Sequence, residues 1–315
     1  MLRATHLRDL VALVLFISAL ATCWYGGYSA QDLLAEIAIL ALFAMSLDFI
    51  VGFAGLVSLG HALFYGLSAY TVGALTVHLE LLPSVAILGG IVVAGLSAAA
   101  AGALVVRLSG IFFIMITLAF GQMAWAYFLR SPTFGGYSGM AGIPHVDLSA
   151  VGLSLLDPRH IAFCATVVCA AFYVFLARLS DSAFGAALVA VHQNEMRARA
   201  LGLPVGLYKF AAFVTAGAIA GVAGALTAQR AQFVSPDLLV WTTSGEALIM
   251  VIVGGVGTLV GPVIGAILWV LMRHSLSGLT SYWMLFMGIA FVAAVLFASD
   301  GVYGFLKRLI GPRSA

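Results

Sequence analysis

Charge is scarce in this sequence. It has 14 Lys and Arg and 12 Asp and Glu among 315 residues, or 8% charged. Ordinary soluble domains carry about a quarter. The net charge of +2 is too small to serve as a nucleic-acid footprint. Cysteine is nearly absent. Cys23, Cys164 and Cys169 are odd in number and show no C-x-x-C or C-x-x-H spacing, so they read as small packing residues. No G-x-x-x-x-G-K-[ST] loop precedes Lys209 or Lys307, which excludes ATP binding by that route. No H-E-x-x-H occurs, and no metal or other cofactor is expected.

What fills the chain is apolar: 63% hydrophobic residues and 35 glycines, with a mean hydropathy of +1.14. Apolar runs of roughly 20 residues recur along the whole length, as membrane-spanning helices require. The expected fold is all-α: a single polytopic helical bundle over 1–315 with broken Gly-rich helices. About ten spans fall at 10–27, 33–51, 56–77, 84–106, 110–129, 160–178, 209–228, 237–255, 259–275 and 281–299. Eight or nine remain open if 237–275 holds one span and a re-entrant segment. Arg3 and Arg8 before an apolar run resemble a signal peptide, but Cys23-Trp24-Tyr25 is a poor cleavage site, so an uncleaved first span is expected. With both ends cytoplasmic, the inside cations are Arg3, Arg8, Arg107, Arg178, Arg197, Arg199, Lys209, Lys307, Arg308 and Arg313. Those outside are Arg130, Arg159, Arg230 and Arg273, a bias that supports this orientation.

One polar stretch, 178–209, then lies in the cytoplasm. It carries Glu195, Arg197 and Arg199, a short amphipathic pattern and the terminator Gly202-Leu203-Pro204. It reads either as a solvated connection or as a short helix on which a soluble partner pushes. The segment 130–159 is rich in Gly and Pro and reads as a periplasmic loop, which either receives a soluble partner or covers the bundle.

Two glycine-rich interruptions stand in corresponding places. One is Gly52-Phe-Ala-Gly55-Leu-Val-Ser58-Leu-Gly60 and the other Gly254-Gly-Val-Gly257-Thr-Leu-Val-Gly261-Pro262. Such pairs point to a substrate site in transporters, and equally to close helix packing. Glu36, Asp48 and Glu246 fall in or near spans, where each costs roughly 2.5–3.5 kcal/mol at a helix centre and so must face protein or water. Asp48 and Glu246 precede the breaks. Ser58, His61, Tyr65 and Ser68 recur at helical spacing as a polar stripe. Gly136-Tyr-Ser138-Gly139 matches the G-x-S-G of intramembrane serine proteases. That chemistry needs a serine inside the bundle with a histidine base beside it, whereas Ser138 lies in the loop.

Five blocks, in order, resemble LivM-type permeases, the membrane subunits of branched-chain amino-acid ABC importers. They are Leu47 through Tyr70; Gly110 through Phe120; Gly135 through Pro144; Asn194 through Gly202 with Tyr208-Lys209; and Glu246 through Pro262. The resemblance implies a LivH-type partner permease, two ATPase subunits and a periplasmic binding protein, in an inner membrane, with no enzymatic activity in this chain. It makes Asn194, Glu195, Arg197, Ala198, Leu201 and Gly202 the coupling helix. Asp48, Ser58, His61, Tyr65, Glu246, Gly254 and Gly257 become pathway residues, and Gly135, Gly136 and Gly139 binding-protein contacts. The chain departs from the pattern at His192-Gln193, where an Arg-acid pair is common, and at Phe134 and Ser138, where Thr and Asp are common. The second departure keeps urea, amides and other small solutes open. An ion-coupled carrier without ATPases is the alternative of another class.

Overall fold

A computed structural model describes residues 2–148, 153–154, 157–280, 282–297 and 301–310. Part of the 130–159 loop, Arg313, and the side chains of Arg3, Lys307 and Arg308 lie outside what is described.

Thirteen helices are described: α1 (Leu2–Tyr25), α2 (Tyr28–Asp48), α3 (Ala62–Val77), α4 (Pro83–Val105), α5 (Ile111–Arg130), α6 (Pro158–Ser180), α7 (Ala183–Gln193), α8 (Glu195–Ala200), α9 (Val205–Ala231), α10 (Trp241–Gly254), α11 (Val260–Leu279), α12 (Trp283–Phe297) and α13 (Gly301–Ile310). A π-helical turn, Phe49–Phe53, extends α2. The only described strands form two-residue ribbons, β1 (Met140–Ala141) with β4 (Phe233–Val234), and β2 (Asp147–Leu148) with β3 (Leu153–Ser154).

Side-chain contacts fix the direction of each pass. Arg8 at the start of α1 bonds Asp181 beside α7. Arg230 at the end of α9 bonds Asp32 at the start of α2, and Arg273 late in α11 pairs with Glu36. Gly301 packs on Gly255, which brings the end of α12 back towards α7. The chain therefore runs between two ends, one marked by α7 and α8, through α1, α2, 54–77, α4, α5, α6, α9, α10, α11 and α12. Among the described residues, seven helices are long and apolar enough to cross a membrane. The other three expected segments give shorter helices: 16 residues in α3, 14 in α10 and 15 in α12. At 1.5 Å per residue these measure about 21–24 Å against a hydrocarbon core of about 30 Å. The α3 pass is completed by the non-helical 54–61. Over 237–275, α10 and α11 form an antiparallel hairpin whose turn is the second glycine break.

Small residues set the packing. Gly217 and Gly221 of α9 sit on the Cβ atoms of Ala98 and Ala94 of α4, and Gly224 lies on the carbonyl of Tyr65 in α3. Gly265 of α11 lies on the carbonyl of Met250 in α10. Without a hydrophobic drive between helices in lipid, such close approach supplies the van der Waals attraction that holds them.

At the end opposite α7, charge does the stitching. The Arg230 guanidinium donates to both Asp32 oxygens, at 3.0 and 2.9 Å, and to Glu36 at 3.1 Å. Arg273 completes a cluster joining α2, α9 and α11. Arg230→Ala should destabilise the bundle by about 1.5–3 kcal/mol, the worth of a charge-assisted hydrogen bond. Arg230→Lys should recover little, because a lysine cannot reproduce the bidentate fork. Melting of the detergent-solubilised variants checks this, and an unchanged midpoint in Arg230→Ala would remove the cluster from the stability of the fold.

Candidate functional site at the joined helix breaks

The two glycine interruptions, some two hundred residues apart in sequence, meet. Asp48 ends α2 and is fully buried. Its Oδ1 accepts from the Gly257 amide at 2.6 Å and its Oδ2 from the Leu259 amide at 3.0 Å. Asp48 thus caps the start of α11 from another helix, where free amides and the helix dipole favour an anion. A Cβ on Gly52 would lie on the Gly257 backbone, so the crossing needs glycine. Gly257 also takes φ +72, a region other residues rarely enter. Thr258 closes the second break on itself: its hydroxyl donates to the Gly255 carbonyl at 2.7 Å and accepts from the Gly261 amide at 2.9 Å. Backbone freed within a bilayer must find partners in protein or water, and here it finds them in protein.

The non-helical 54–61 is braced in the same way. Ser58 accepts from the Gly60 amide at 3.3 Å. The Ala62 amide donates to Ser244 of α10 at 2.8 Å. His61 Nε2 lies 2.8 Å from Ser46 Oγ, which donates to the Phe43 carbonyl at 2.7 Å. With that hydroxyl proton committed, Nε2–H donates to Ser46. Phe43 stacks on the imidazole and Phe64 meets it edge-on. Tyr65 and Thr227 share a hydrogen bond of 2.5 Å between α3 and α9.

The polar stripe read from the sequence is thus buried inside the chain. Asp48, Ser58 and His61 have no exposed surface and Tyr65 almost none. In this conformation they join elements rather than line an open path. Gly254 is buried against Gly261. Glu246 differs: it is half-buried on α10. Among the described residues it has no hydrogen bond or ion pair. Gly245 beside it faces open space.

At the other side of the breaks stand α7 and α8. Ser182 caps α7. Asn194 turns the chain in extended backbone and caps α8, its Oδ1 accepting from the Arg197 amide at 2.9 Å. Gly202, at φ +82, stops α8, and the Leu203 amide returns to the Ala198 carbonyl at 3.1 Å. Ala198 is buried with Val191, Leu203 and Val205. Glu195 pairs with Lys209 of α9 and, at 3.6 Å, with Arg199. Met196, Arg197, Arg199 and Leu201 remain exposed, Met196 and Leu201 by 77% and 75%. His192 Nδ1 donates to the Gly52 carbonyl at 3.1 Å. Of the expected coupling residues, then, Asn194, Glu195, Ala198 and Gly202 build the tip, while Arg197 and Leu201 face outward. Met196 and Lys209 were not among the expected coupling residues. An apolar residue beside charged neighbours on a six-residue helix was the available signal for Met196.

At the far end, Gly135, Gly136 and Gly139 shape two tight turns that lead into β1. Gly139 lies on the Val234 carbonyl, so the loop is clamped onto β4. Tyr137 projects from it, 87% exposed. Ser138 is exposed too, and among the described residues no histidine bonds it.

The profile of the family described as branched-chain amino acid transport system, permease component, matches residues 29–295. The chain belongs to this permease family. It is similar to the high-affinity branched-chain amino acid transport system permease protein LivM of Salmonella typhimurium, at 28% identity over 95% of this chain and 76% of the relative. The LivM of Escherichia coli matches to the same extent. A probable ABC transporter permease protein, y4mJ, of Sinorhizobium fredii is 30% identical over 44% of this chain and 43% of that protein. No solved structure matches. Membership, together with the apolar helices, makes this permease a multi-pass inner-membrane protein.

Proposed function

We propose that this permease forms one half of the translocation path of an ABC importer for branched-chain amino acids. A LivH-type permease supplies the other half, two ATPase subunits drive the cycle, and a periplasmic binding protein delivers the solute. The observation that carries this reading is the α7–α8 tip. It is capped, stopped and braced from within, yet presents Met196, Arg197, Arg199 and Leu201 outward. A rigid, exposed knob with apolar and cationic groups suits a groove on a soluble ATPase. The 178–209 stretch is then cytoplasmic and the 130–159 loop periplasmic, with Tyr137 and the turns at Gly135, Gly136 and Gly139 facing the binding protein. Glu246 is the half-buried carboxylate left for the path, and Asp48, Ser58, His61, Tyr65, Gly254 and Gly257 hold the broken helices that border it. Alternating access follows as the tip shifts the balance between two arrangements of those helices.

The test is co-purification with the neighbouring transporter subunits and ATPase measurement with and without binding protein plus leucine. Leucine-dependent stimulation is expected. Stimulation by urea or an amide but not by leucine would keep the importer and change its cargo. This reading draws on Phe134 and Ser138. Absence of any co-purifying ATPase, with ion-driven uptake by the chain alone, would replace the importer by a secondary carrier.

A further inference from the structure

We infer that His192 is the transmission residue of this permease, carrying movement of the α7–α8 tip to the joined helix breaks. The inference rests on the importer reading above and names a positioning role for a residue that the reading leaves unassigned.

The geometry is specific. His192 is the penultimate residue of α7, two positions before the Asn194 turn that starts α8. Its ring leaves the tip and reaches the π-helical turn of α2. A carbonyl can only accept, so Nδ1 carries the proton in the 3.1 Å bond to Gly52. The ring lies over Gly55, where a Cβ would come within 2.6 Å of Cδ2. Gly52 is the residue whose backbone crosses Gly257, and Gly257 is held by Asp48. One side chain thus connects the exposed tip to the point where α2, α10 and α11 are joined. The tip is stiff: α8 is capped at Asn194 and tied to α9 through Glu195 and Lys209. A stiff tip displaced by a partner must move the His192 ring, and that ring bears on backbone which, in a π-turn, is already outside regular helix bonding.

The experiment uses the whole complex in proteoliposomes and reads two quantities: ATPase activity stimulated by binding protein plus solute, and solute uptake per ATP hydrolysed. The wild-type complex must first show ATP-driven uptake; failure there sinks the importer reading and not this inference alone. His192→Ala should keep ATPase subunits bound and hydrolysing while uptake per ATP falls about tenfold. His192→Asn places an amide N–H where Nδ1–H stood and should recover much of the loss. His192→Gln places its amide at the Nε2 position and should not. Uptake per ATP at the wild-type level in His192→Ala would overturn the inference. So would loss of ATPase binding in His192→Ala that His192→Asn does not repair, since His192 would then be part of the docking surface itself.

Discussion

Asp48→Ala should abolish uptake and leave the permease markedly less stable. The substitution strands the part-buried amide of Gly257 and the buried amide of Leu259, which have no other acceptor among the described residues. Each unsatisfied buried donor costs about 1–3 kcal/mol, and both losses fall at one junction. Asp48→Asn is the informative companion. Its single oxygen can serve one amide, but its NH₂ then faces the other N–H, donor against donor. Asp48→Asn should therefore behave nearly as badly as Asp48→Ala, although it matches aspartate in volume. Thermal unfolding in detergent and uptake by the reconstituted complex measure the two effects. Wild-type melting and uptake in Asp48→Ala would show that the junction is not what holds α11 to α2.

The second large effect is a contrast between neighbours. Glu195→Ala leaves Lys209 as a cation with its side chain 4% exposed and no counter-charge. Removing one partner of a buried pair costs about 3–5 kcal/mol; with Glu195 itself about one-third exposed, the lower end is expected. The α7–α8 tip should loosen, so that melting, ATPase binding and uptake all decline. Arg197→Ala removes an exposed side chain whose backbone amide alone is used by the Asn194 cap. It should leave melting unchanged and weaken only ATPase binding. Combining Glu195→Gln with Lys209→Met should restore melting, because an apolar side chain can replace a buried charge without penalty. Equal melting losses for Glu195→Ala and Arg197→Ala would refute the inward and outward assignments.

Hydropathy made most of the bundle legible, because lipid demands long apolar helices and the chain supplies them. Of the short helices, α3 departs most from its expected span of 56–77, because the first glycine break leaves 54–61 non-helical. Glycine spacing located both interruptions. It gave no indication that they touch, since nothing in the local pattern around Gly52 points to Gly257. Asp48 was singled out as a costly charge, but its partners are backbone amides, which have no letter in the sequence. Likewise, Glu36 looked isolated in its span until Arg230 and Arg273 arrived from distant helices. His192 stood out only as a departure from the family pattern; its bond to Gly52 is a tertiary contact between segments 140 positions apart. The stop at Gly202 was readable because C-terminal capping chemistry is local; the cap at Asn194 came only with the structure.

The Asp48 junction also bears on how the permease is made. Its bonding partners lie 209 and 211 positions further along the chain. At bacterial synthesis rates of roughly 5–20 residues per second, the ribosome needs about 10–40 s to supply them. For that interval α2 stands in or beside the bilayer with a carboxylate at its end and no amides to receive it, and with Glu36 still waiting for Arg230 and Arg273. The nascent chain therefore passes through a stage at which α2 is made but has yet to meet the C-terminal partners that hold Asp48 and Glu36 in the folded permease.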